Sequence, residues 1–125
     1  METPARIAIV DPDTRFWPIL SRSLRGLQVQ IETYRCAEVL LAEPSAGSLG
    51  CIVTEMELPG ASGLDLIDEL RRLDIQVPTI ILTSQAELAG AVDAIRAGAI
   101  DYLQKPFVQN RVRDWVRRLI QLNPA

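Results

Sequence analysis

Histidine is absent from this chain, which removes imidazole as an acid, base, nucleophile or metal ligand. Cysteine is scarce. Cys36 and Cys51 stand on different expected elements without the close pairing of a zinc site, so free thiols in a reducing compartment are expected. No run approaches the ~20 apolar residues of a membrane-spanning helix. The opening METPARIAIVDPD passes straight into a strand pattern with no leader, which makes the cytoplasm the expected location. Positive charge is not in excess either. The net charge of -3 argues against nonspecific attraction to nucleic acid or to an anionic membrane surface.

What is present is a chain of 125 residues with 48% hydrophobic content, enough for one domain that packs a core without metal or disulfide support. Strand-like apolar runs alternate with segments of helical period. Residues 6–10 (RIAIV) read as a strand buried on both faces. Asp13 or Thr14 is placed to cap a helix reaching about Arg25. Pro18 falls in its first turn, where N–H groups have no intrahelical partner, and Gly26 ends it. Residues 28–34 alternate as a half-buried strand does, 37–42 form a short helix, and 51–54 form a third strand. Residues 58–63 (LPGASG) make a turn, after which Leu64, Leu66, Ile67 and Leu70 line one helical face. A fourth strand spans 78–82, an alanine-rich helix spans 85–97 before Gly98, and a fifth strand spans 100–103. The last helix, 107–122, repeats Val108, Val112, Trp115, Val116, Leu119 and Ile120 at helical spacing.

Five strand–helix units in succession call for a parallel sheet with helices on both faces, and the doubly wound order 2-1-3-4-5 suits them. Such a sheet places its site beyond the carboxyl ends of the strands. Asp11, Pro12 and Asp13 follow the first strand, Glu55 and Glu57 the third, Thr83 and Ser84 the fourth, and Lys105 the fifth. Taken singly, Thr83-Ser84 also suits a helix cap and Lys105-Pro106 a turn. Together with Glu55-Met56-Glu57-Leu58-Pro59-Gly60 and the 101–107 segment DYLQKPF, they resemble the receiver domain of two-component response regulators over nearly the whole chain.

The resemblance implies a three-layer flavodoxin-like fold and a non-enzymatic signalling role. In the family a phosphoryl group passes from a kinase histidine to an aspartate at the end of the third strand, with Mg²⁺ offsetting charge. Carried over by position, Glu55 stands at the acceptor, Thr83 and Lys105 at the phosphoryl contacts, Tyr102 at the aromatic switch and Asp11 at the first of two acidic positions. With no histidine in this chain, any phosphohistidine donor is another protein, a sensor kinase. A cis Lys105-Pro106 bond is also implied.

Two positions depart from the family. The acceptor is Glu55, one methylene too long by more than ~1 Å for a reaction sensitive to in-line placement. The second acidic position is Pro12, which offers no side-chain oxygen to a cation that requires near-octahedral oxygen geometry. Asp13 is expected to point elsewhere. Asp11, Glu55 and the Glu57 carbonyl remain as metal ligands, giving Mg²⁺ weak binding or none, and no other cofactor is expected. Glu55 then has two readings: a carboxylate near Thr83 and Lys105 that holds an active-like arrangement, or an ion pair with Lys105 that closes a disused pocket. Tyr102 is a switch or a half-buried strand aromatic.

Arg111, Arg113, Arg117 and Arg118 on the last helix read as a solvated face before they read as a nucleic-acid stripe. A third reading pairs them with Asp93 and Asp101 across a homodimer built from helix four, strand five and helix five. The whole reads as a single domain over 1–125, the N-terminal part of a longer response regulator, acting on an output domain or a separate regulator protein. A receiver phosphorylated at Glu55 or a nearby acid is the first alternative. A flavodoxin-like cofactor binder is the second, and it lacks both Gly-x-Gly-x-x-Gly and a P-loop after any strand.

Overall fold

The computed structural model describes residues 3–106 and 108–122. In chain order it contains β1 (Ala5–Val10), α1 (Phe16–Ser23), β2 (Val29–Tyr34), α2 (Ala37–Leu41), β3 (Cys51–Glu55), β4 (Glu57–Leu58), β5 (Ala61–Ser62), α3 (Gly63–Arg72), β6 (Thr79–Thr83), α4 (Leu88–Ala97), β7 (Asp101–Gln104) and α5 (Gln109–Leu122). The main sheet has five strands in the order β2-β1-β3-β6-β7, and every neighbouring pair is parallel. Counting only those strands, the order is 2-1-3-4-5. The segment expected as a simple turn is a small antiparallel ribbon of β4 and β5.

Both faces of the sheet are covered, which is why β3 and β6 are buried along their length. Ile7, Ile9, Val53, Ile80 and Leu82 meet Phe16 and Leu20 of α1 and Val112 and Val116 of α5. Ala8, Val10 and Ile52 face the other way, onto Leu40 of α2 and Leu66 and Leu70 of α3. Ile81 packs with Ile67 of α3 and Ala94 of α4. This alternation is the two-residue period of a strand. Each fully buried aliphatic side chain stabilises the fold by about 1.5–3 kcal/mol relative to exposure.

The helix starts depart most from expectation. Neither Asp13 nor Thr14 caps α1: Arg15 holds the cap position without a side-chain bond. The Asp13 carboxylate instead accepts the Arg15 N–H at 3.1 Å and pairs with its guanidinium at 2.9 Å, which ties it to the turn before the helix. Pro18 does sit in the first turn, and α1 ends at Ser23, ahead of Arg25. The helix expected from Gln85 begins at Leu88. Thr83 Oγ1 accepts the Gln85 N–H at 3.2 Å in a bend, and Glu87 is extended, with φ -131° and ψ 151°, before the helix starts. Pro78 precedes β6 rather than entering it, and β7 is offset by about one residue from the expected run. The last helix is seen from Gln109. Its expected start, Phe107, lies outside the described residues.

Candidate functional site

β1, β3, β6 and β7 deliver their loops to one end of the sheet, as parallel strands must. Glu55 closes β3 opposite Leu82 of β6. Its carbonyl is approached so closely by residue 63 that a Cβ there would lie 2.8 Å away, which explains a glycine at the head of α3. The Gly63 N–H donates to the Met56 carbonyl at 2.7 Å and pins the loop after β3. At the end of β7 the Lys105 N–H donates to the Thr83 carbonyl at 2.7 Å. The Lys105-Pro106 peptide is cis, as the resemblance implied.

Lys105 is the centre of the arrangement. Its ammonium donates to Asp11 Oδ2 at 2.7 Å and to Glu55 Oε1 at 2.8 Å, and it lies 4.5 Å from the centre of the Phe16 ring. The remaining carboxylate oxygens are occupied by backbone. Asp11 Oδ1 accepts the Asp13 N–H at 2.9 Å, and Glu55 Oε2 accepts the Glu57 N–H at 3.1 Å. Trp17 Nε1 donates to the Asp11 carbonyl at 3.2 Å, fixing the loop from the α1 side. Burial alone pushes the Lys105 ammonium down, but the hydrogen bonds it donates to Asp11 and Glu55 outweigh it and hold its pKa above the ordinary lysine value. Asp11 is 2% exposed and Glu55 8%, so the three charges share a poorly hydrated site.

The other expected participants stand apart. Thr83 is buried, yet its hydroxyl bonds to the Gln85 backbone and not to Glu55. Asp13 turns out to Arg15, and the Glu57 side chain is exposed. Tyr102 is half-buried on β7, and its hydroxyl accepts the Glu87 N–H at 3.3 Å. Among the described residues no three acidic side chains gather in a way that could hold a metal ion. Asp11 and Glu55 each give an oxygen to the same ammonium, and Pro12 gives none. This donor set does not fit Mg²⁺, which requires about six oxygens in octahedral array.

The arginines of α5 all have partners within the chain. Arg111 pairs with Asp101 at 2.8 Å, and Trp115 Nε1 donates to the same carboxylate at 2.8 Å. Burial pushes Asp101 up, but the bonds from Trp115, the Tyr102 N–H and Arg111 hold it below the usual carboxylate range. Arg113 donates to the Ser23 and Arg25 carbonyls, Arg117 pairs with Asp114, and Arg118 lies 5.0 Å from the Trp115 ring centre. The charges expected to meet across a dimer are thus joined inside one chain at Asp101. Sequence reasoning also missed Phe16 beneath Lys105 and Gly90 against Tyr102. Only the packing of α1 on β7's loop and of α4 on β7 brings those pairs together.

Known proteins place this geometry. Residues 7–117 match the model of the response regulator receiver domain. The response regulator protein TodT of Pseudomonas putida is 31% identical over 118 residues, covering 94% of this chain and 52% of TodT. The transcriptional regulatory protein FixJ of Bradyrhizobium diazoefficiens is 28% identical over 126 residues, covering 100% of this chain and 62% of FixJ. This chain therefore spans about half the length of such relatives. A response regulator receiver protein from Pseudoalteromonas atlantica superposes with a TM-score of 0.84 at 27% identity, covering 93% of this chain and 97% of that one. A response regulator from Chloroflexus aurantiacus gives 0.82 at 27% identity, covering 94% and 98%. With the strand order, the Lys105 cluster and these likenesses in agreement, the chain belongs to the response regulator receiver domain family.

Proposed function

We propose that this receiver domain takes part in two-component signalling without accepting a phosphoryl group, and acts through protein contacts on an output domain or a separate regulator in the cytoplasm. One observation carries the reading: the Lys105 ammonium is bonded to both Asp11 and Glu55, while the Thr83 hydroxyl is turned to Gln85. A phosphoryl group would need that lysine, that hydroxyl and a divalent cation together, and here the lysine serves as counter-ion to two carboxylates. Of the two readings of Glu55, the closed pocket is favoured, because its carboxylate makes no bond to Thr83. No described helix is long and apolar enough to cross a membrane. The contact surface we assign is the outer face of α4, where Leu88, Val92 and Ile95 are exposed beside Asp93 and Arg96.

The test is intact mass after incubation with acetyl phosphate and Mg²⁺. Wild type is expected to gain no phosphoryl mass, and Glu55→Asp with Pro12→Asp is expected to gain it. Labelling of wild type at Glu55 or a neighbouring acid would overturn the proposal. A folded double variant that stays unlabelled would show that the Thr83 side of the pocket has also been lost.

A further inference from the structure

We propose that the free edge of β2, with the groove between it and α1, takes an extended acidic and aliphatic segment of a partner protein as an added antiparallel strand. β2 ends the sheet order on one side. The Gln28 and Tyr34 carbonyls accept the Ala5 and Asp11 N–H groups at 3.1 and 2.9 Å. In a parallel ladder both backbone groups of a residue point one way, and the direction alternates along the strand. Residues 28, 30, 32 and 34 therefore bond to β1, while Val29, Ile31 and Thr33 point outward. The Val29 N–H donates to the Leu27 carbonyl at 2.9 Å. Among the described residues no hydrogen bond reaches the Ile31 or Thr33 N–H. Such an open row is a template for another strand unless charged side chains defend it. The acidic side chain of β2, Glu32, is already bonded through both oxygens to Arg6, at 2.5 and 2.9 Å.

The side chains beside this edge select the occupant. Val29 and Ile31 are half-buried and, with Leu24 and Leu27, line a groove of about 320 Å³ whose rim carries Arg22 and Arg25. Both arginines are exposed, and among the described residues neither is in an ion pair. Arg113 of α5 donates to the Ser23 and Arg25 carbonyls at 2.9 and 2.8 Å, so the turn beneath them is held in place. An added strand sets every second side chain on this face. Aliphatic residues opposite Ile31 and Thr33 cover the groove, and acidic residues at the end near α1 meet Arg22 and Arg25. A second copy fits less well, because β2 paired antiparallel with itself about Ile31 would bring Arg25 of one copy toward Arg35 of the other. Neither the Lys105 pocket nor the face of α4 takes part, so the test can fail while theirs succeed.

The probe is the acetylated and amidated peptide Val-Thr-Val-Thr-Glu-Thr-Glu, added to the whole chain, with a lysine-for-glutamate peptide as control. The glutamate peptide is expected to bind saturably and to weaken with salt, and the lysine peptide not to bind. Hydrogen exchange at the Ile31 and Thr33 amides should slow on binding, while the Gln30 and Glu32 amides, already bonded to β1, stay as they were. Thr33→Pro removes an outward N–H and no bond to β1, so Tm should hold and peptide binding should be lost. Arg22→Glu with Arg25→Glu alters only the exposed rim and should lower the affinity about tenfold at unchanged Tm. Should Thr33→Pro melt early, exchange in the wild type still decides. No saturable binding, equal binding of the lysine peptide, or binding that leaves the Ile31 and Thr33 amides unaltered overturns the proposal.

Discussion

The Lys105 pocket and the outer face of α4 lie near each other across β6 and β7, yet they are finished in opposite ways. In the pocket every carboxylate oxygen of Asp11 and Glu55 accepts a bond from within the chain. Among the described residues no buried side-chain polar atom lacks a partner. On α4 the only buried side chain is Ala94, and three larger apolar residues are left to solvent. One region is closed upon itself and the other is open. Under the proposed function, recognition falls to α4, and the pocket is left a structural part.

The largest effect that would break this contrast is at Lys105. Lys105→Met leaves two buried carboxylates facing each other without a counter-ion, and a loss of about 3–5 kcal/mol is expected. Urea unfolding at pH 7 checks it. In wild type a pH dependence is expected at high pH. The Lys105 pKa is raised on folding, so its stabilisation is complete below the ordinary value of 10.5 and is lost as pH climbs through the raised one.

A smaller effect is expected where the pocket's backbone is closely packed. Gly63→Ala would push a methyl group to 2.8 Å from the Glu55 carbonyl oxygen, and overpacking of this kind costs about 1–3 kcal/mol. Gly47→Ala, with nothing within 4 Å of the new carbon, serves as its control. Thermal melts of the two should separate clearly, with Gly47→Ala near wild type. Equal losses would mean that the pocket is looser than the Lys105 bonds imply.

The smallest effect on stability sharpens the comparison from the other side. Leu88→Ser with Ile95→Ser removes apolar surface that is 82% and 56% exposed, so each change should fall within about 0.5 kcal/mol. The expected consequence is instead a loss of self-association or partner capture in sedimentation. A stability loss above that range would show that α4 uses these residues for its own packing.

Much of this was legible in the chain itself. Residues 6–10 read as a strand buried on both faces, and five strand–helix units in succession led to the sheet order. The order in turn brought Asp11, Glu55 and Lys105 to one end. What was not legible depends on which way a short polar side chain turns. Asp13 had a cap position open to it, but Arg15 lies within reach and captures the carboxylate first. Thr83 likewise prefers the backbone two residues on, at Gln85, to the carboxylate across the pocket. Asp101 and Arg111 were rightly seen as complementary charges. Their spacing across a strand and the following helix lets one chain satisfy both, so no second copy is needed to pair them.

The two tryptophans give the Lys105 pocket and the β7–α5 side each an optical reporter. Trp17 hydrogen-bonds the Asp11 carbonyl at the pocket, and Trp115 hydrogen-bonds Asp101 beneath the Arg118 cation on the β7–α5 side. Their emission should differ, because one indole sits against a neutral carbonyl and the other against an ion pair. A single fluorescence trace of the wild type therefore adds two signals from two differently built places. Trp17→Phe and Trp115→Phe separate them. Each single-tryptophan protein then watches either the closed pocket or the Asp101 carboxylate on the β7–α5 side, with no external label.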